Sequence, residues 1–298
     1  MLDQKKSYTY ALTAVALWST VASAFKLSLR TLTPAELLLY ASLASCLVLF
    51  LIILVQGKAR QLGALHKKDW LASLKFGFLN PFFYYLILFQ AYNLLPAQQA
   101  QAINYTWAIT LSLLSIPLLG QKIRRIDLIA IMVSYIGVVI ISTRGNVLTF
   151  TFESPLGVGL ALFSTLIWSF YWIANTRDRR EPIVGLFLNF ICSIPLIIIY
   201  ILATDGFRPI QLPGLLGAVY VGVFEMGITY VLWLKALKYS TNTARIANLI
   251  FISPFLSLVM IHFVVGEKIL RSTFVGLVFI VGSLLLQSFS RSRSAQGE

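Results

Sequence analysis

Ten stretches of about 20 mostly apolar residues follow one another along the chain, near 8–29, 34–56, 70–92, 98–119, 126–143, 155–176, 182–203, 212–235, 241–264 and 270–290. Each is long enough to cross ~30 Å of hydrocarbon as an α-helix. The gaps between them are short and carry most of the Lys and Arg, which leaves no room for a water-soluble catalytic domain. The pattern predicts an all-α polytopic membrane protein with ten transmembrane helices.

Composition agrees. Of 298 residues, 58% are hydrophobic and only 12% charged, against about 45–50% and about 25% in a soluble domain. Disorder is excluded by 21 Phe, 13 Tyr and 6 Trp, which supply ample surface to bury. The two cysteines, Cys46 and Cys192, lie in apolar runs and read as lone core thiols. A net charge of +13 would suggest a nucleic-acid partner in a soluble protein. Sorted by loop, however, 18 of the 24 basic residues fall on the side that holds the N-terminus. That asymmetry predicts cytoplasmic N- and C-termini and no nucleic acid, with the lipid bilayer as partner. Lys5, Lys6 and the triplet Ala22-Ser23-Ala24 imitate a secretory leader with its cleavage site. The first segment is nevertheless expected to be retained, because it has a counterpart later in the chain.

That counterpart emerges on comparing the chain with itself. Trp18-Ser19 recurs as Trp168-Ser169, Pro34 as Pro182, Tyr85 as Tyr230, Gln90-Ala91 as Lys235-Ala236, and Gly120-Gln121-Lys122-Ile123 as Gly266-Glu267-Lys268-Ile269. Their common order indicates a duplication, with repeats at 1–146 (spans 1–5) and 147–298 (spans 6–10). An odd number of spans per repeat makes the second copy enter the membrane from the opposite side. Two inverted five-helix repeats with a site near the midplane are a recurring architecture of secondary transporters.

Glu225, near the middle of span 8, is the sharpest chemical signal. An ionised acid there costs about 2.5–3.5 kcal/mol on insertion scales. It is either a proton-coupling or amine-binding carboxylate, or a structural acid paired with a neighbouring helix. Helical spacing adds polar faces: Ser19, Ser23, Lys26 and Arg30 on span 1, Asn80 and Tyr84 on span 3, Gln98, Gln101 and Tyr105 on span 4. Span 6 offers Ser164, Trp168, Tyr171 and Asn175; span 9 offers Asn242, Arg245 and Asn248. Such groups should face the bundle interior, either lining a wet cavity or bonding helix to helix. Lys26 and Arg245 sit near span ends, where they either snorkel or attract a substrate carboxylate. Trp18, Trp107 and Trp168 lie deep enough to stack on a flat substrate or simply to pack. Pro81 and Pro254 are the hinge candidates, since each removes a helical hydrogen bond. His66 and His262 are far apart, so no metal site or cofactor is expected.

Ala16-Leu17-Trp18-Ser19-Thr20, Asn104-Tyr105-Thr106-Trp107 and the two Gly-x-Lys-Ile turns resemble the EamA family of the drug/metabolite transporter superfamily, with spans 1 and 4 most similar to bacterial aromatic amino-acid exporters. The resemblance implies a ten-helix carrier of the bacterial inner membrane that exports small metabolites, amino acids or related compounds, by alternating access. An importer or exchanger of a metabolite or drug-like compound, coupled to protons, is the alternative. Span 4 in such exporters tends to read Trp-Pro, whereas this chain has Trp107-Ala108 and keeps the proline only in Ser253-Pro254. A helix break is therefore expected in span 9 and not in span 4. Gly-x-Ser-x-Gly, His-Glu-x-x-His and Walker sequences are all missing, which argues against an enzyme or an ATP-driven pump. A channel would need a ring of like residues, usually through oligomerisation; an internal repeat makes a pathway of its own, and a monomer is compatible with it.

Overall fold

The computed structural model describes the backbone of residues 3–120, 125–148, 152, 154–204, 206–240 and 243–294, and the side chains of these apart from 243–245 and 288–294. No β-strand occurs among the described residues. The helices are α1 (Gln4–Ser28), α2 (Pro34–Val55), α3 (Ala59–Gly63), α4 (Lys67–Gly77), α5 (Tyr84–Leu94), α6 (Ala97–Asn104), α7 (Trp107–Leu119) and α8 (Arg125–Ser142). They continue as α9 (Pro155–Asn175), α10 (Pro182–Ala203), α11 (Leu212–Tyr220), α12 (Ile228–Tyr239), α13 (Thr243–Asn248), α14 (Ser253–Met260) and α15 (Arg271–Ser294). Among the described residues, nine continuous or broken helices are long and apolar enough to cross a membrane. The described apolar part of α15, Arg271–Gln287, is shorter.

Helix starts follow from local chemistry. Thr33 and Glu36 form a reciprocal capping box at the head of α2, with Pro34 in the first turn. The Glu181 carboxylate receives Val184 N–H at 2.8 Å at the head of α10, where Pro182 takes the same position. The Ser154 hydroxyl accepts from Gly157 N–H ahead of Pro155 in α9. Gly120 (φ 69°) and Gly266 (φ 82°) close their helices in the left-handed region that glycine enters without steric cost.

Four spans are not straight. In the third, α4 and α5 are separated by a π-helical turn, Phe78–Phe83, within which Asn80 is extended (φ −149°, ψ 117°). In the eighth, a π-helical turn at Val221–Glu225 divides α11 from α12. In the ninth, a 3-10 turn at Leu249–Ile252 precedes α14, whose first turn contains Pro254. The fourth breaks at the matching place, between α6 and α7, which corrects the expectation of a break in the ninth span alone. At this break the Thr106 hydroxyl donates to Ile103 C=O at 2.8 Å, and no proline lies there.

Packing is reciprocal between the halves. α1 lies against α11, α12 and α14, while α9 lies against α5, α6 and α7; α2 pairs with α10, and α8 with α15. The α8–α15 crossing is backbone to backbone. A Cβ on Gly137 would stand 2.6 Å from Gly276 O, and one on Gly276 would stand 2.5 Å from Gly137 O, the close approach that small residues permit between membrane helices.

Candidate functional site

The broken third and eighth spans set the site. Glu225 is the last residue of the π-helical turn in the eighth span. Its Oε1 accepts from the Tyr85 hydroxyl at 3.0 Å, while its Oε2 is out of solvent contact with no hydrogen-bond partner. No basic side chain pairs with it among the described residues. Asn80, 145 residues earlier and in the matching break of the third span, likewise presents a buried Oδ1 without a partner. Carbonyl and carboxylate oxygens left unsatisfied in a bundle core are rare and call for an explanation.

Aromatic rings surround these oxygens. Tyr84 lies on Trp168 with ring centres 4.5 Å apart, and Trp168 touches Tyr171 and Trp172, each at 5.8 Å. Trp172 stacks on Tyr230 at 6.2 Å, and Trp107 meets Trp168 edge-on at 6.5 Å. The Tyr171 hydroxyl stands beside Asn80 and Tyr230. Tyr105, at the break of the fourth span, stands beside Ser253, which in turn receives the Ser19 hydroxyl at 3.2 Å. Gln101, one turn from Tyr105, has a buried Oε1 without a partner. Asn80, Tyr84, Trp107, Trp168, Tyr171 and Glu225 are linked through these contacts and Tyr85, while Tyr105, Ser253 and Ser19 form a second group, with Gln101 one turn from Tyr105.

Other expected residues lie elsewhere. The Lys26 ammonium donates to Tyr92 C=O at 2.8 Å and Leu95 C=O at 2.7 Å, at the C-terminal end of α5. Trp18 packs on Trp233 at 5.4 Å. Asn175 is the last residue of α9, beyond the aromatic cluster, and Asn248 ends α13. The Arg245 side chain and Asn242 lie outside the described residues. Pro81 and Pro254 both sit at breaks. Gln98 bonds helix to helix, receiving Leu270 N–H and the Thr273 hydroxyl and donating to Lys268 C=O. Ser164 does the same by accepting from Asn104 at 3.0 Å.

Three members of the site escape a reading by polar stripes. Tyr85 and Tyr230 recur between the repeats, a signal available in the sequence, but tyrosine in a membrane helix is more often read as packing. Trp172 follows Trp168 by four residues, and its buried indole N–H has no partner.

Two charged clusters flank the cluster along the bundle. Where α1 and α5 end, a cavity of about 500 Å³ is lined by Lys26, Arg144, Glu267 and Lys268 among others. There the Glu267 carboxylate caps α6, receiving Ala97 N–H at 2.8 Å and Gln98 N–H at 3.3 Å. At the other end, Arg180 reaches Asp178 (Nη2 to Oδ2, 2.7 Å), the Ser73 hydroxyl and Asn189, and lies over the Phe76 ring. Burial disfavours the charged form of Asp178, but the hydrogen bonds and charge of Arg180 outweigh it and hold this carboxyl below the ordinary value of 3.8. A depressed carboxyl stabilises the fold above its unfolded-state value and ceases to as pH falls through its folded one. Asp178→Asn should thus lower the melting temperature in detergent at pH 7, with the gap to wild type closing as pH drops below 3.8. A gap unchanged at low pH would remove the ion pair as its cause.

The EamA-like transporter family matches the chain twice, over residues 5–143 and 155–289. An uncharacterized transporter of Clostridium kluyveri is 30% identical over 209 residues, covering 64% of this chain and 67% of its own. The uncharacterized transporter YvbV of Bacillus subtilis strain 168 is 25% identical over 224 residues, 74% of this chain and 72% of its own. A protein known from a crystal structure shares the fold, with a TM-score of 0.70 over 98% of this chain and 99% of its own, at 20% identity.

Proposed function

The chain belongs to the EamA-like transporter family, and on that premise we propose that it is a secondary-active carrier of the bacterial inner membrane, exporting small metabolites, amino acids or related compounds, by alternating access. Ten transmembrane helices form two inverted five-helix halves, 1–146 and 147–298, with both termini cytoplasmic. The carrying observation is the unpartnered Oε2 of Glu225, held where the eighth span is broken and faced by rings from the third and sixth spans. An unpaired acid in such a place favours binding something that brings a positive charge.

The substrate cavity draws on Asn80, Tyr84, Gln101, Tyr105, Trp107, Trp168 and Tyr171 around Glu225, with Ser19 beneath Tyr105. Glu225 is the coupling group, taking up a proton in one half of the cycle. The breaks at Asn80-Pro81 and ahead of Pro254 are the bending points. Reciprocal packing supports this reading, because a tilt of α9 against α5 and α7 has an equivalent in α1 against α12 and α14.

Metabolite profiling of cells and medium, with and without the protein, tests the proposal. At least one small molecule should be enriched in the medium and depleted in the cells when the protein is present. Enrichment in the cells instead would favour the importer, and no difference for any small molecule would count against a carrier.

A further inference from the structure

We infer that the central site selects organic cations, specifically a protonated amine on a flat apolar body, over the corresponding zwitterionic amino acid. This inference rests on the carrier reading above and narrows its substrate class. Of the buried polar atoms there without a partner, three are acceptors, Glu225 Oε2, Asn80 Oδ1 and, one turn from Tyr105, Gln101 Oε1, against one donor, Trp172 Nε1, and one hydroxyl that can serve as either, that of Tyr230. A primary ammonium brings three donors and no acceptor, which complements those three acceptors. The walls add to it, since the Tyr84, Trp168, Trp172 and Tyr230 rings form one continuous run beside the carboxylate. Aromatic faces attract cations by about 0.5–1 kcal/mol when exposed and about 2 or more when desolvated.

A substrate carboxylate would meet only neutral donors there, the Trp172 indole N–H and the Tyr230 hydroxyl. Among the described residues no basic side chain pairs with Glu225; Lys26 lies on the C-terminal carbonyls of α5 and Arg180 on Asp178, in the two end clusters. Placing an amino acid with its amine on Glu225 therefore leaves its own carboxylate buried near another acid, without a counter-charge. The amine that lacks this carboxylate avoids that cost.

Three probes of one size separate the possibilities: phenethylamine (cation), phenylalanine (zwitterion) and phenylacetate (anion). Titrated calorimetrically into the detergent-purified full chain near neutral pH, phenethylamine should bind at least about tenfold more tightly than phenylalanine, a difference of ~1.4 kcal/mol, and phenylacetate should give no heat of binding. Glu225→Gln should weaken phenethylamine by a similar factor at an unchanged melting temperature. Equal or tighter binding of phenylalanine, binding of phenylacetate, or no binding of phenethylamine overturns the inference. Should the variant fail to fold, the wild-type ranking decides alone. Failure here is distinguishable from failure of the carrier reading: a non-amine exported in the profiling experiment keeps the carrier and removes the cation preference.

Discussion

In proteoliposomes, Glu225→Gln is expected to make flux indifferent to an imposed pH gradient. One proton exchanged per cycle across one pH unit supports an accumulation ratio of about tenfold; in the variant the ratio should fall to one. The substitution is nearly isosteric and keeps an oxygen for the Tyr85 hydroxyl, which now donates to Glu225 Oε1 at 3.0 Å. What disappears is the group that can alternate between charged and neutral. Tyr85→Phe makes the complementary case, because it removes the hydrogen bond and leaves the acid, and the gradient response should persist. Accumulation by Glu225→Gln that still follows the gradient would place coupling on another residue.

Gly276→Leu should have a large effect on folding. Its Cβ alone would stand 2.5 Å from both Gly137 O and Ile141 Cγ1, with Ile141 Cδ1 at 2.9 Å. Backbone cannot yield as the tip of a side chain can, so α8 and α15 would be forced apart. Overpacking a core ordinarily costs about 1–3 kcal/mol, and here the affected helix pair is one that joins the two halves. A fall in the detergent melting temperature and in the monodisperse fraction is expected. Gly282→Leu, on the same helix, is the control: nothing lies within 4 Å of its added Cβ, and leucine is the better helix former. If both variants behave like wild type, the crossing is looser than its geometry indicates.

The extent of the nine described helices long enough to cross a membrane was legible because hydrophobic length and end chemistry coincide. Pro34, Pro155 and Pro182 each sit just inside a helix start, so those edges fall where the apolar runs begin. Breaks were legible only where proline marks them, at Pro81 and Pro254. The break at Tyr105-Thr106 carries no proline, and its Thr106 bond to Ile103 C=O is matched by Thr20 and Thr165 in helices that do not break, so nothing local marks it. Polar periodicity picked out residues that are buried, such as Ser19, Asn80, Tyr84, Gln101, Ser164 and Tyr171, but not the depth or partner of each. Gln101 and Gln98 share a face, yet one has a free oxygen and the other is fully bonded to residues 268–273. Lys26 falls on the stripe of Ser19, but its long side chain finds the carbonyls at the end of α5. Which groups remain unbonded depends on helices distant in sequence, and spacing within one helix does not encode that.

The reciprocal packing of α1 and α9 also dictates an order of assembly. The Ser7 hydroxyl donates to Ala236 C=O and that of Ser19 to Ser253, partners 229 and 234 residues later in the chain. At ~5–20 residues per second of synthesis, the first helix waits in the bilayer for roughly 10–50 s before its polar face is covered. During that interval the insertion machinery or lipid must shelter it, and a ribosome that stalls before the ninth span leaves Ser19 without Ser253, with only its bond to Val15 C=O in its own helix.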